Sequence, residues 1–365
     1  MIITTKNGKK EEVIMDANAL KNVLFFKGNG NPPLALEILT ELKEYLGYRP
    51  IVGHVNFGCW GDGELEDSFA NHEEIKGKTL IFFECLKEES VMTSFLQLCW
   101  AAKHQYGAER IIALISFMHY RRQDREDYFH EIWRNKWLAV QMKNSGISHV
   151  ILATPHSEQT GENFRKEGIV FRDVDMSDLF ASRLKPFFPA EVDGTDKVKV
   201  YTPDEGSITR AIKLATRLGV GVLFSLKNRG FDNETTIIEA TQKEIEEVKE
   251  KFDFFPNLEY ATLERVSGMM IIMVEDEIDS GGTANGQAVK LRGYGAEKIY
   301  MVFTHAVCTN PWRRKLFGTV NPFSQVIVGN TIPRGEGKRT GGKIHDVSVA
   351  NPMASELFRM LQDII

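Results

Sequence analysis

A chain of 365 residues, 42% hydrophobic and 26% charged, is long enough for two domains with cores of their own and is ordinary for a soluble globular protein. The net charge of −5 argues against nonspecific nucleic-acid binding. No apolar run approaches the roughly 18 residues of a membrane span, the N-terminus MIITTKNGKKEE lacks a signal-peptide apolar stretch, and the four cysteines, Cys59, Cys85, Cys99 and Cys308, show no CxxC spacing, so a cytoplasmic, reducing setting with no membrane partner is expected.

In chain order, Val23 to Phe26 reads as a strand and Pro32 to Leu46 as a helix, with apolar residues at Leu34, Ile38, Leu42 and Tyr45. Ile51 to Asn56 reads as a strand that leads into a loop holding Trp60-Gly61-Asp62-Gly63-Glu64. Thr79 to Glu84 is an apolar strand ending in acid. Ile111 to Phe117 is a buried strand, followed by His119-Tyr120-Arg121-Arg122-Gln123-Asp124-Arg125. Val150 to Ala153 ends at Thr154-Pro155-His156-Ser157-Glu158-Gln159, Val198 to Tyr201 at Thr202-Pro203-Asp204-Glu205-Gly206, and Gly221 to Leu226 at Lys227-Asn228-Arg229. A charged insertion then fills 230–268, with TQKEIEEVKEKF a solvent-exposed helix. Met270 to Val274 is a short buried strand that stops at Glu275, Asp276 and Glu277 and meets Asp279-Ser280-Gly281-Gly282-Thr283. A helix from Ala284 to Gly293 and a strand from Ile299 to Thr304 complete a βαβ unit.

The chain carries an internal echo. Tyr106-Gly107-Ala108-Glu109-Arg110-Ile111 recurs as Tyr294-Gly295-Ala296-Glu297-Lys298-Ile299, each after a strand ending in acid, at Glu84 and at Glu275. The helical rhythm of 31–47 returns in 204–220. A duplicated α/β domain is the expectation. In the first copy Lys87-Glu88-Glu89-Ser90 stands where the second has its glycine turn, so only the second copy keeps a phosphate cradle.

Polar clusters just past strand ends are the pattern of a doubly wound ligand-binding sheet. Successive backbone N–H groups from Ser280 to Thr283, with the following helix N-terminus, form a phosphate cradle, and Glu275 and Asp276 stand where a polyol's hydroxyls could bond to them. The three arginines of RRQDR suit phosphate oxygens, yet on residues alone they equally suit a surface charge run paired with EDYFHE. A lone histidine such as His156 is more often packed or exposed than functional. Asp204 reads as a helix N-cap, and Lys227 with Arg229 as two cations after a strand.

These segments resemble, in collinear order, those of the ribose-phosphate diphosphokinases, the enzymes that make phosphoribosyl diphosphate (PRPP). VEDEIDSGGT is similar to their ribose-phosphate loop, which type I phosphoribosyltransferases share. RRQDR resembles ARQDR, which those transferases lack; TPHSEQ resembles DLHAEQ; TPDEG resembles SPDxG; and WGDGE resembles FSDGE. Lys227-Asn228-Arg229 resembles the start of a KRR catalytic flap, with Asn228 in place of the middle arginine. Thr304-His305 and Thr331-Ile332-Pro333 also recur there.

The resemblance implies two tandem type I phosphoribosyltransferase-like α/β domains, each a mostly parallel sheet flanked by helices, over 1–178 and 179–352, with the helix 353–365 joining the first. It implies transfer of a diphosphoryl group from ATP to ribose 5-phosphate. Lys227, Arg229 and His156 would be catalytic. Trp60, Asp62, Glu64, Arg122, Gln123 and Asp124 would bind ATP, Trp60 by stacking on adenine across a subunit interface. His156 and Asp204 would hold Mg2+. Glu275, Asp276, Asp279, Ser280, Gly281, Gly282 and Thr283 would bind the ribose phosphate. A homo-oligomer built from dimers, up to a hexamer, is implied as well. ADP-ribose as a larger acceptor, a phosphoribosyltransferase and a non-catalytic regulatory homologue are the alternatives.

Overall fold

The computed structural model describes residues 2–4, 10–12, 20–125, 132–188, 197–226, 228–229, 235–236, 240–318, 321–334, 340 and 342–365. The chain divides into two compact units, Met1–Asp175 with Thr331–Pro333 and Ser348–Ile365, and Met176–Asn330 with Arg334–Val347. The division falls after Asp175 rather than 178, and the first unit takes back the chain from Ser348 rather than from 353.

The first unit is built on six strands: β1 (Val23–Lys27), β2 (Val52–Gly53), β3 (Thr79–Leu86), β4 (Arg110–Met118), β5 (His149–Ala153) and β6 (Val170–Val174). They are hydrogen-bonded in the order β6-β5-β4-β3-β1-β2, all parallel. β3 is buried at every position and β4 at all but its first, the run expected of strands covered by helices on both faces. The helix Ala350–Ile364 belongs to this unit. It buries Met353, Ala354, Leu357, Phe358 and Leu361 at helical spacing. Its Phe358 stacks on Tyr45 of the helix Pro32–Leu46 at 5.6 Å, and Arg172 on β6 holds Glu356 at 3.1 Å.

The second unit has β7 (Val198–Thr202), β8 (Gly221–Phe224), β9 (Leu258–Tyr260), β10 (Met270–Ile278), β11 (Lys298–Ala306), β12 (Gln325–Gly329) and β13 (Ile344–Val347). Their order is β9-β8-β7-β10-β11-β12-β13. Without the edge strand β9 this is the order of the first sheet, strand for strand. The segment 230–268 is therefore not wholly an insertion: Leu258–Tyr260 pairs with β8 as part of the sheet. Its helix, Gln242–Lys251, starts with a capping box in which Thr241 and Glu244 satisfy each other's backbone groups.

The sequence echo has a structural cause. Gly107 and Gly295 take left-handed φ values of 72° and 86°, and each closes the same turn between a helix and a strand. Gly77 N–H donates to Gly107 and Gly268 N–H to Gly295, both at 2.9 Å; Glu109 N–H donates to Lys78 and Glu297 N–H to Met269, again at 2.9 Å. The pairing registers agree as well, Thr79 facing Arg110 where Met270 faces Lys298.

Candidate active site

Each sheet reverses its strand order beside its first strand, and open α/β sheets bind ligands in the crevice outside the carboxyl ends at such a reversal. In the second unit that point lies between β7 and β10. Pairing of the two runs from Val198↔Met270 to Tyr201↔Met273. β10 then continues beside β11 alone, through Glu277↔His305 and Ile278↔Ala306. The acids thus lie on the strand, not after a strand end at Val274, and alternation sends Asp276 to the face opposite Glu275 and Glu277. Asp276 is buried, with Arg210 3.9 Å away. Arg210 carries no motif, and only its place in the first turn of the helix Ile208–Leu218 brings it to the acid.

Behind β10 the backbone turns at Gly281, φ 75°, and the helix runs Gly282–Gly293, starting earlier than Ala284 because Gly281 serves as its left-handed N-cap. First-turn N–H groups have no carbonyl ahead of them within a helix, so those of Gly282 and Thr283 lack an intrahelical acceptor, the usual basis of an anion site. Cys308 N–H donates to Ile278 O at 2.9 Å, and the Thr309 hydroxyl donates to Asp279, so the turn is tied down on its far side. Across the crevice, Asp204 caps the turn Glu205–Ser207, accepting from Ser207 N–H at 3.1 Å. Beneath both, Tyr201 is hydrogen-bonded to Gln287 (2.6 Å) and Ser225 (3.0 Å), and burial lifts its hydroxyl well above the usual phenolic range.

In the first unit β4 ends at Met118, and Tyr120 takes a left-handed φ of 62°. The following residues differ in burial: Arg121 lies over the Phe117 ring at 5.0 Å and is buried, Arg122 and Gln123 are exposed, and Asp124 is buried. The neighbouring strand β5 ends at Ala153, and His156 is half-buried in the turn before the helix Glu158–Lys166. Ile115↔Leu152 pairing sets the two turns side by side. Trp60, 58% exposed, forms the tip of a hairpin closed by Trp60 N–H to Glu64 (2.8 Å) and Gly63 N–H to Trp60 (2.9 Å), with Asp62 accepting from Glu64 N–H at 3.1 Å. Lys227 lies outside the described residues, and for Arg229 only the backbone is described, in the ribbon Asn228–Arg229 paired with Thr235–Thr236.

The first unit's own reversal point holds Glu84, whose role as more than a repeat marker was not legible in the sequence. Its carboxylate accepts from Gly30 N–H (2.8 Å) and Cys85 N–H (2.9 Å), and a Cβ on Gly28 would fall 1.8 Å from its Oε2. Burial pushes Glu84 up from 4.5 to about 7, against the backbone hydrogen bonds that pull it down. A raised folded value favours the protonated folded form. The contribution is complete below the unfolded value of 4.5 and is lost as pH rises through about 7. Unfolding free energy of the wild type, measured against Glu84→Gln, is expected to decline by roughly 3 kcal/mol between pH 4.5 and 8. A flat difference would mean that Glu84 titrates alike in both states.

Residues 200–363 match the family described as the phosphoribosyl synthetase-associated domain, and residues 23–146 the N-terminal domain of ribose phosphate pyrophosphokinase. The ribose-phosphate pyrophosphokinase of Clostridium perfringens is 27% identical over 95% of this chain and 97% of its own length. That of Caldanaerobacter subterraneus subsp. tengcongensis is 28% identical over 94% and 95%. The crystal structure of phosphoribosylpyrophosphate synthetase from Mycobacterium smegmatis superposes with a TM-score of 0.73 at 23% identity, covering 94% of this chain and 100% of that one. The chain belongs to the ribose-phosphate diphosphokinase family. It has that family's fold of two phosphoribosyltransferase-like units, each a mostly parallel sheet flanked by helices. Among the described residues no helix is long and apolar enough to cross a membrane.

Proposed function

We propose that the chain transfers the β,γ-diphosphoryl group of Mg-ATP to the anomeric hydroxyl of ribose 5-phosphate, giving PRPP and AMP. The observation that carries this reading is the second unit's crevice, where a left-handed glycine turn opens a helix N-terminus beside a strand bearing acids and opposite Asp204. Ser280 to Thr283 bind the 5-phosphate through backbone N–H groups and hydroxyls, and Glu275 and Asp276 bind the ribose hydroxyls, Asp279 bracing the turn. Arg122 and Gln123, both exposed, take the triphosphate, with Asp124 on the buried side of the same turn. His156 lies beside the transferred phosphates, and Trp60 stacks on adenine, with Asp62 and Glu64 at the same hairpin tip, in a homo-oligomer.

Among the described residues no three ligating side chains gather into a metal cage. Magnesium that arrives with ATP is commonly held by one or two carboxylates, its own waters and substrate phosphates. Asp204 and His156 are the donors this chain offers. Diphosphoryl transfer depends mainly on positioning and on charge stabilisation as charge spreads over the phosphate oxygens, and Lys227 and Arg229 of the flap supply cations for it.

ADP-ribose would use the same phosphate turn, and Lys251 at the end of the helix Gln242–Lys251 holds Glu205, next to Asp204, at 2.5 Å. Release of AMP from Mg-ATP, followed with each acceptor, decides the matter. kcat/KM is expected to favour ribose 5-phosphate. A tenfold preference for ADP-ribose, about 1.4 kcal/mol in transition-state binding, would replace the acceptor, and no AMP release with either would remove the activity.

A further inference from the structure

We propose that Ser157 and Asp124 form a positioning link that locks the turn presenting Arg122 and Gln123 to the turn presenting His156; the inference rests on the diphosphokinase reading above. The Ser157 hydroxyl donates to the Asp124 carboxylate. Asp124 is 1% exposed, so its side chain is turned into the protein. Its carbonyl accepts from Trp133 Nε1 at 2.6 Å and from Asn163 Nδ2 at 2.8 Å. Asn163, on the helix that begins directly after Ser157, also donates to Asn135 Oδ1 (2.9 Å) and accepts from Gln159 Nε2 (3.0 Å). Asn135 N–H in turn donates to the carbonyl of Gln123 at 3.1 Å.

Asn135 and Asn163 are fully buried. Among the described residues Asn135 Nδ2 has no hydrogen-bond partner, but Asn135 Oδ1 and both polar atoms of Asn163 are paired, and breaking any of these buried bonds leaves a desolvated partner behind. The circuit runs from the carbonyl of Gln123 through Asn135 and Asn163 to Asp124 and Ser157, and so joins both ends of the proposed triphosphate site.

Ser157 also caps its helix, accepting from Gln159 N–H at 3.1 Å. A hydroxyl can donate once while accepting, so the two roles coexist and must be separated. At an N-cap, glycine costs only a few tenths of a kcal/mol against serine where alanine costs about 1. A purely capping serine therefore tolerates Ser157→Gly and suffers from Ser157→Ala, whereas a linking serine loses its function in both.

The experiment uses the full chain, with Ser157→Ala, Ser157→Gly, Asp124→Asn and the double variant Ser157→Ala/Asp124→Asn. Amide hydrogen exchange of peptides covering 119–125 and 155–160 is expected to quicken about tenfold in both serine variants while the strands keep their protection. In diphosphoryl transfer, kcat is expected to fall about tenfold in both with the KM for ATP changed less than about twofold, since displaced catalytic groups cost turnover more than binding. The double variant is expected to lose no more than the worse single one. Unchanged exchange in Ser157→Gly, or losses that multiply in the double variant, overturns the link. A raised KM for ATP at unchanged kcat overturns it in favour of direct nucleotide contact. A wild type that releases no AMP sinks the diphosphokinase reading instead, and the exchange data still decide whether the two turns are tied.

Discussion

Lys227→Ala is expected to lower the turnover of diphosphoryl transfer on the order of a thousandfold or more, while ATP affinity stays within about tenfold. In sequence the lysine comes three residues after Phe224, the last residue of β8, at the start of the segment that resembles the catalytic flap. A cation that meets the phosphates only after closure stabilises charge in the transition state and contributes little to the ground state. Its loss therefore appears in kcat. Single-turnover AMP formation and equilibrium ATP binding, measured on the same variant, test this. Equal losses in the two would make Lys227 a ground-state ligand, and an unchanged kcat would remove it from the chemistry.

Gly281→Val is expected to lower kcat/KM for ribose 5-phosphate about a hundredfold with little change in the KM for ATP. Gly281 stands at φ 75°, where an L-residue costs about 1–2 kcal/mol and a β-branched one more. A Cβ there would also lie 3.0 Å from Leu316 Cγ and Cδ2 on the helix Trp312–Phe317, closer than such a contact tolerates without movement. The least costly relief is a shift of the turn, which re-aims the N–H groups of Gly282 and Thr283. Because the turn lies in the second unit and the RRQDR turn in the first, the two substrates should separate cleanly in the kinetics. A parallel rise in both KM values would show that the variant disturbs more than the phosphate turn, and no change in either would show that the turn does not hold the phosphate.

The two predictions rest on different kinds of knowledge. The Lys227 expectation comes from a short contiguous match, whereas the Gly281 expectation needed a dihedral angle and a neighbour that lies far along the chain. The strand-turn-helix around Ser280 was legible because its signals are local: an apolar run, a glycine pair and a following helical period all fall within one segment. The duplication was legible for the same reason, since the Tyr-Gly-Ala-Glu echo marks a turn that only a left-handed glycine closes.

What the sequence by itself determined, then, is which polar segments stand at the carboxyl ends of the strands and that there are two copies of one topology. The tertiary structure decided which side chains of those segments face the crevice. Asp276 turns away from Glu275 and Glu277 because β10 outruns β7 and keeps the alternation of a paired strand. Asp124 is buried and Arg122 exposed because β5 and its helix pack against one side of the RRQDR turn. Leu258–Tyr260 joins the sheet because the edge of β8 offers unpaired backbone groups, which no pattern within 230–268 reveals. Glu84 fills the first unit's reversal point because Gly28 and Gly30 let a carboxylate approach the backbone. Contiguous residues encode a turn. Burial and facing depend on where a distant strand happens to stop, and that is set by the packing of the whole sheet.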